Sequence, residues 1–156
     1  MRMETTYWVQ ANSEEAIDKI IQLWGYEFER DDDFYFEEEC TNVYDVMEKV
    51  IKVVREMEID GQKENFNIVG ICDTDYDCTV FTIEYSGNEP MIKASHADPD
   101  DEDRYEKFYD TSFDEIPGLL KRNKARTFKQ AIKDELPLGG FLEMSYEEWV
   151  KSILDE

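Results

Sequence analysis

Three runs of β-forming residues between positions 66 and 95 constrain the fold of this chain most strongly. Phe66–Cys72 is a nearly continuous apolar run, and Thr79–Tyr85 alternates between its two faces at every second residue. A third run, Met91–Ser95, follows the turn signal SGNEP. Period-two alternation with turn residues between the runs is typical of strands joined by hairpins. The pattern predicts an antiparallel meander in the middle of the chain.

Two strand–helix units are predicted before this meander. Residues 5–11, TTYWVQA, are rich in β-formers, and residues 13–24 carry one apolar stripe at helical spacing. A second strand is predicted around residues 34–38. It is followed by the clearest helix of the chain, over about residues 42–58, in which apolar residues recur every three or four positions.

The C-terminal part of the chain favours helices. Helical patterns cover about residues 126–135 and 145–155, and Ser145 with Glu148 forms a capping box at the start of the second. No stretch has the composition of a domain linker. We therefore predict one acidic α+β domain over residues 1–156, with two N-terminal strand–helix units, a central mainly antiparallel sheet and two or more C-terminal helices.

Charge is distributed unevenly along the chain. The formal net charge of −22 arises within residues 1–116, which carry 32 acidic against 10 basic residues, whereas residues 117–156 carry 7 of each. Hydrophobic and aromatic contents of 41% and 13% separate the chain from disordered acidic tails. A field of this sign attracts cationic surfaces and repels nucleic acid and anionic membranes. The charge therefore favours a basic protein partner, with no direct binding to nucleic acid or membrane.

One basic run stands out from this acidic background. Lys121–Lys133 contains six basic residues and no acidic one, and with Phe128 it has the residue types of a phosphate contact. The surrounding negative field repels a polyanion within a Debye length of about 8 Å. We favour the interpretation that this segment packs near the acidic body and offsets part of its repulsion.

Membrane and redox signals point to the cytoplasm. No stretch of about 20 apolar residues is present, and the N-terminal residues lack the apolar core of a signal peptide. Cys40, Cys72 and Cys78 are an odd number without metal-ligand spacing, which favours reduced thiols. The alternative is a disulfide between Cys72 and Cys78 across a hairpin turn, if the protein is exported.

The segment from Asp73 to Glu84 resembles the calcium loop of the EF-hand family over twelve residues. The resemblance implies oxygen ligands from Asp73, Asp75, Asp77 and Glu84. It departs at the sixth position, where that family needs glycine and this chain has Cys78. Because both flanks are predicted strands instead of helices, we favour a hairpin with a polar turn and assign no metal site.

The same segment resembles the nucleophile motif of haloacid-dehalogenase-type phosphatases, because Asp-x-Asp follows an apolar strand. The resemblance implies Asp73 as nucleophile, Asp75 as acid/base and a parallel sheet with crossover helices. Asp77 replaces the Thr or Val that the motif carries two residues after its second aspartate. The predicted antiparallel strands also disagree with that fold.

No other pattern in the sequence carries catalytic chemistry. His96 is the single histidine and has no serine or cysteine partner that the sequence specifies, and no phosphate-binding glycine loop is present. With 39 acidic residues, closeness of two carboxylates identifies no acid/base pair. We therefore predict a protein that is not an enzyme, with no catalytic residue and no cofactor.

Surface recognition is the use of this charge that remains. We predict an inhibitor of a basic, nucleic-acid-handling partner: an immunity protein that neutralises a nuclease toxin. One alternative is a nucleic-acid mimic that blocks a defence enzyme, as phage anti-restriction and anti-CRISPR proteins do. Another is a small metal-binding or scaffold module.

Partner-binding residues are predicted in the acidic clusters and beside the aromatic residues within them. A mimic needs rows of carboxylates, whereas an immunity protein needs a compact patch with an aromatic anchor. Of the aromatic residues in these clusters, Tyr76 in its turn is the best candidate for exposure. The predicted residues are Asp31, Asp32, Asp33, Glu37, Glu38, Glu39, Asp73, Asp75, Tyr76, Asp77, Asp98, Asp100, Asp101, Glu102 and Asp103.

Overall fold

A computed structural model describes most of the chain. The residues described are 3–11, 13–15, 18, 20, 22, 34–39 (backbone), 42–59, 61, 65–74, 77–98, 100–140 and 142–155. The strands are β1 Met3–Ala11, β2 Phe34–Glu39, β3 Phe66–Thr74, β4 Cys78–Tyr85, β5 Met91–Ala97 and β6 Arg126–Thr127. The helices are α1 Val43–Ile59, α2 Glu102–Tyr109, α3 Ile116–Leu119, α4 Phe128–Lys133 and α5 Tyr146–Leu154, and a 3₁₀ turn covers Phe113–Glu115.

All strand pairs in the sheet are antiparallel. The order is β2-β1-β3-β4-β5-β6, so that the three central predicted runs form consecutive hairpins. This confirms the α+β class and the antiparallel meander. The parallel sheet implied by the resemblance to haloacid-dehalogenase-type phosphatases is wrong, because β3 pairs with antiparallel neighbours on both sides.

Side chains on one face of the sheet pack against α1, α4 and α5. Tyr7, Gly70, Phe81 and Ala94 follow one another across four strands in this layer. Gly70 leaves room for the Phe81 ring, because a Cβ at this position would lie 2.5 Å from the ring. The close approach of the strands at the centre of the core therefore depends on a residue without a side chain.

The opposite face packs against α2 and α3. Val69, Cys78 and Val80 contact a smaller cluster that includes Phe108 and Ile116. Consecutive residues are buried at positions 68–70 of β3 and 78–81 of β4. Because successive side chains point to opposite faces, the same strands supply both layers.

The longest helix, α1, is fixed at its N-terminus by a reciprocal cap. The Asn42 amide N–H donates to Asp45 Oδ2 at 2.8 Å, and the Asp45 amide N–H donates to Asn42 Oδ1 at 3.1 Å. One stripe of α1 is buried and includes Val46, Met47 and Val50. The helix predicted over residues 42–58 is confirmed. Its N-terminal cap was not predicted from the sequence.

The predicted C-terminal helices are also present. The Glu148 amide N–H donates to Ser145 Oγ at 3.2 Å, so Ser145 caps α5 as predicted. α4 is preceded by β6, which the sequence pattern did not indicate. The N-terminal helix predicted over residues 13–24 lies partly outside the described residues, although Glu14, Asp18 and Gln22 are helical.

The disulfide alternative is wrong for Cys72 and Cys78. Both residues are buried and reduced. In the register Cys72 pairs with Thr79, whereas Cys78 pairs with Asp73, so the two thiols belong to opposite faces of the sheet.

Candidate partner-binding site

The strand register brings several acidic segments to one end of the sheet. Glu39 pairs with Glu4, and Glu4 pairs with Asp73, across strands that lie about 4.8 Å apart. At the same end, β4 begins at Cys78 and β5 ends at Ala97, so the β3–β4 turn and the loop after β5 are neighbours. We call this region the acidic end; it comprises Glu4, Glu37, Glu38, Glu39, Asp73, Asp77, Asp98 and residues 100–103.

The predicted partner-binding residues divide into four groups by position. Asp31, Asp32, Asp33, Asp75 and Tyr76 lie outside the described residues. Asp73 and Asp77 are half-buried, and the exposed residues are Asp98, Asp100, Asp101, Glu102 and Asp103. Glu37, Glu38 and Glu39 lie on the edge strand β2, where Glu37 pairs with Thr6 and Glu38 with Thr5. All the described members therefore belong to the acidic end.

Asp77 holds the β3–β4 turn together. Its Oδ1 accepts a hydrogen bond from Thr74 Oγ1 at 2.6 Å, and its Oδ2 lies 2.9 Å from His96 Nε2. The Thr74 amide N–H also donates to the Asp77 carbonyl oxygen at 3.0 Å. Both Asp77 carboxylate oxygens bind side chains of the protein itself, Thr74 and His96. Asp77 therefore stabilises the shape of the acidic end more than it contacts a partner directly.

An open cleft lies against the acidic end and has an aromatic wall. Its volume is about 370 Å³, and its lining includes Glu4, Asp73, Tyr109 and Phe113. Tyr109 is 55% exposed, and its ring stacks on Tyr105 with 6.4 Å between centroids and 15° between planes. We call this the aromatic–acidic cleft.

Tyr109 and Phe113 line the cleft, and neither was predicted from the sequence. The stretch after Asp103 showed no apolar periodicity, because α2 buries Phe108 fully and Tyr105 only in part, and its other side chains are exposed. The available signal was the four-residue spacing of Tyr105 and Tyr109 directly after the acidic loop, since that spacing places two rings on one side of a helix.

The chemistry of the cleft suits a cation. Carboxylates accept charge-assisted hydrogen bonds from lysine and arginine, and aromatic faces attract the same groups. Burial raises the pKa of the Tyr105 phenol, and the negative charge of Asp73 raises it further. The phenol, which stacks on Tyr109 beside the cleft, is therefore neutral at physiological pH and adds no negative charge there.

The two thiols beside this end carry no nucleophilic chemistry. Burial raises the pKa of Cys72 to about 11 and that of Cys78 to about 12, and the Asp73 and Asp77 carboxylates add to both shifts. Because a thiolate is the reactive form of cysteine, both residues are inert at neutral pH.

The EF-hand-like carboxylates do not converge. Asp73 pairs with Cys78 beside the turn, whereas Glu84 lies six residues further along β4 and pairs with Asn67. Six residues of strand span about 20 Å, so these two carboxylates cannot share an ion. In the part of the chain that the structure describes, no group of three or more His, Cys, Asp or Glu side chains is arranged to hold a metal.

The basic run lies away from the acidic end. β6 pairs with β5 through Ile92 and Met91, at the opposite end of the sheet. Within the described residues its ion pairs are local: Arg126 Nε lies 2.9 Å from Asp134 Oδ2, and Lys129 Nζ lies 3.0 Å from Glu147 Oε1. The expectation that this run lies near the acidic body and offsets part of its repulsion stays a prediction; the two ion pairs join it to C-terminal carboxylates.

Two further observations bear on the class of protein. Among the described residues, every helix is too short or too polar to cross a lipid bilayer. Comparison of the chain with protein-family models, with curated proteins and with solved structures finds no match to any of the three.

Proposed function

We propose that this chain is a non-enzymatic, cytoplasmic binding protein that inhibits a basic, nucleic-acid-handling partner. In the form that we favour, it is an immunity protein that neutralises a nuclease toxin. The observation that carries the proposal is the aromatic–acidic cleft, in which exposed Tyr109 stands beside Glu4 and Asp73. The proposal assigns no catalytic residue, metal or cofactor to the chain.

The sign of the charge supports this class of partner. A protein that handles nucleic acid lines its binding surface with lysine and arginine to neutralise phosphates. An acidic surface opposite those residues raises the rate of encounter toward 10⁸–10⁹ M⁻¹s⁻¹ at low salt, which matters when a toxin must be neutralised quickly. The acidic end provides such a surface, and within it Asp98 and residues 100–103 are exposed.

The cleft supports an anchored interface over a purely electrostatic one. Interface hot spots are enriched in tyrosine and lie at the centre of a patch whose rim is polar and charged. Tyr109 is a large exposed aromatic residue with acidic neighbours, and its stacking on Tyr105 holds the ring in place before binding. We propose that a lysine or arginine side chain of the partner enters this cleft.

A nucleic-acid mimic is the second candidate, and one observation favours it. Glu39, Glu4 and Asp73 are successive positions in one row across three strands. A row of negative charges at a spacing of several Å is what a groove built for phosphates binds. In that case the partner is a defence enzyme that binds DNA or RNA.

Affinity capture followed by an inhibition assay tests the proposal. The protein is used to capture its partner from the cell that makes it, and the partner's nuclease or nucleic-acid-binding activity is measured with increasing inhibitor. The immunity proposal expects stoichiometric inhibition of a nuclease, weakened at least tenfold by Tyr109→Ala. Ile59→Ala is the matched control, because Ile59 is 65% exposed and lies on α1 instead of the cleft.

The two candidates predict different orders of effect. If the protein is a mimic, Glu4→Gln is expected to weaken inhibition of the partner more than Tyr109→Ala does. If it is an immunity protein with an anchored interface, Tyr109→Ala is expected to weaken inhibition more. Capture of a neutral or acidic partner, or inhibition that neither variant changes, would contradict both candidates.

A further inference from the structure

A second cavity lies on the sheet face that α2 and α3 cover in part. Its volume is about 440 Å³, within the usual range for a small-molecule site. Its floor is the sheet itself, where Val69 pairs with Thr82 and Thr82 with Lys93. Pro117 and Leu120 form an apolar wall. We call this the sheet cavity.

Lys93 distinguishes the sheet cavity from the rest of this acidic molecule. Its side chain is half-buried in the cavity floor. Among the described residues, the Lys93 ammonium group makes no ion pair, since no carboxylate oxygen lies within 4 Å of it. The chain nevertheless contains 39 acidic residues. A partly desolvated cation that makes no internal ion pair is suited to an external anion.

The sheet cavity is electrostatically separate from the acidic end. Lys93 lies four residues along β5 from Ala97, which corresponds to about 13 Å and exceeds a Debye length of about 8 Å. The exposed basic turn, residues 121–124, follows Leu120 in the cavity wall and is held to β5 by a hydrogen bond from Asn123 Nδ2 to the Ala94 carbonyl oxygen at 3.0 Å. The basic turn therefore lies next to the wall of the sheet cavity.

Polar groups on the neighbouring strands β3 and β4 suit the edge of a flat ring. Asn67 donates from Nδ2 to Gln10 Oε1 at 3.0 Å, which fixes its amide and leaves its own oxygen as an acceptor. Glu84 pairs with Asn67 in the register and adds a carboxylate acceptor. These acceptors match a ring that carries an amino group, and the wall of Pro117 and Leu120 matches its face.

We infer that the sheet cavity binds a small organic monophosphate with an amino-substituted ring, the chemistry of a nucleoside monophosphate. Lys93 binds the phosphate, Asn67 and Glu84 accept hydrogen bonds from the ring edge, and Pro117 contacts the ring face. The inference does not depend on the acidic end, so it stands or fails independently of the proposed inhibitory function.

An NMR titration of the full chain with AMP tests the inference, with adenosine and inorganic phosphate as separate probes. AMP is expected to give saturable shifts confined to amides around Asn67, Thr82, Lys93 and Leu120. Lys93→Gln is expected to weaken the binding of AMP at least tenfold and the binding of adenosine less than twofold. Lys93→Arg keeps the positive charge and is expected to retain AMP binding within about threefold.

Lys107→Gln is the matched control, because Lys107 is an exposed lysine on α2 outside the cavity. It removes the same charge and is expected to leave AMP binding unchanged. The inference is overturned if AMP, GMP and CMP all fail to saturate below about 5 mM. It is also overturned if Lys93→Gln and Lys107→Gln weaken AMP binding equally, because that result would show an effect of the net charge of the protein and not of the cavity.

Discussion

At the scale of single residues, the position that limits the core most is Gly70. A Cβ at this position would lie 2.5 Å from the Phe81 ring and 2.8 Å from the Tyr7 Cβ. Neither neighbour can retreat, because both are fully buried in the sheet. The close packing of β1, β3 and β4 at this point therefore depends on Gly70.

Gly70→Ala is expected to lower the free energy of unfolding by about 1–3 kcal/mol, the usual cost of overpacking a core. Gly118→Ala is the control, because a Cβ there meets nothing within 4 Å and alanine favours a helix. Urea denaturation measures both. Equal stability of Gly70→Ala and the parent protein would show that the strands at this point are not in close contact.

The two buried thiols give a second residue-scale prediction. Since their pKa values are about 11 and about 12, roughly one molecule in a thousand or fewer carries either thiolate at pH 8. In a Cys40→Ser background, Ellman's reagent is expected to leave Cys72 and Cys78 unmodified in the native state and to modify both in urea. Rapid native labelling would contradict the burial of these two residues.

At the scale of secondary-structure elements, α1 shows how a helix start is specified. Asn42 and Asp45 satisfy each other's backbone amide N–H groups. Asn42→Ala removes the side-chain acceptor and is expected to cost about 1 kcal/mol. Glu56→Ala, at an exposed position in the same helix, is the control. Thermal unfolding followed by circular dichroism distinguishes the two, and equal midpoints would contradict a stabilising cap.

Elements with strong local patterns could be predicted from the sequence, and the others could not. α1 has a long apolar stripe and β4 alternates cleanly, so both were predicted close to their observed bounds. β6 has two residues, and its strand character comes from pairing with β5. α2 buries Phe108 alone and so lacks a periodic signal.

The candidate site was predictable only in its parts. The acidic segments are visible as runs of letters, but their convergence depends on the register of β1, β2 and β3, which no local pattern encodes. Tyr109 joins them because α2 folds back over the sheet next to β3. The cleft therefore forms through tertiary contacts between these residues, which the composition of the chain does not predict.

At the scale of the whole molecule, a net charge of −22 opposes folding through self-repulsion. Added salt screens this repulsion, so the melting temperature is expected to rise by several degrees between about 20 and 500 mM KCl. Calorimetry measures the shift directly. A midpoint that falls over this range would indicate that attractive ion pairs outweigh the repulsion.

The association rate with the captured partner, measured against ionic strength, shows whether the acidic end directs binding. The acidic-end variant carries Asp101→Asn, Glu102→Gln and Asp103→Asn; Asp101 makes no side-chain cap in the native protein. The control carries Glu143→Gln, Glu148→Gln and Asp155→Asn, which are exposed C-terminal positions. Both variants remove three negative charges.

The acidic-end variant is expected to associate about tenfold more slowly at low salt and with a flatter salt dependence, whereas the C-terminal control stays within about twofold of the parent protein. Equal slowing of both variants would show that the overall charge, and not the acidic end, directs binding. Unchanged rates in both would show that charge does not direct it at all.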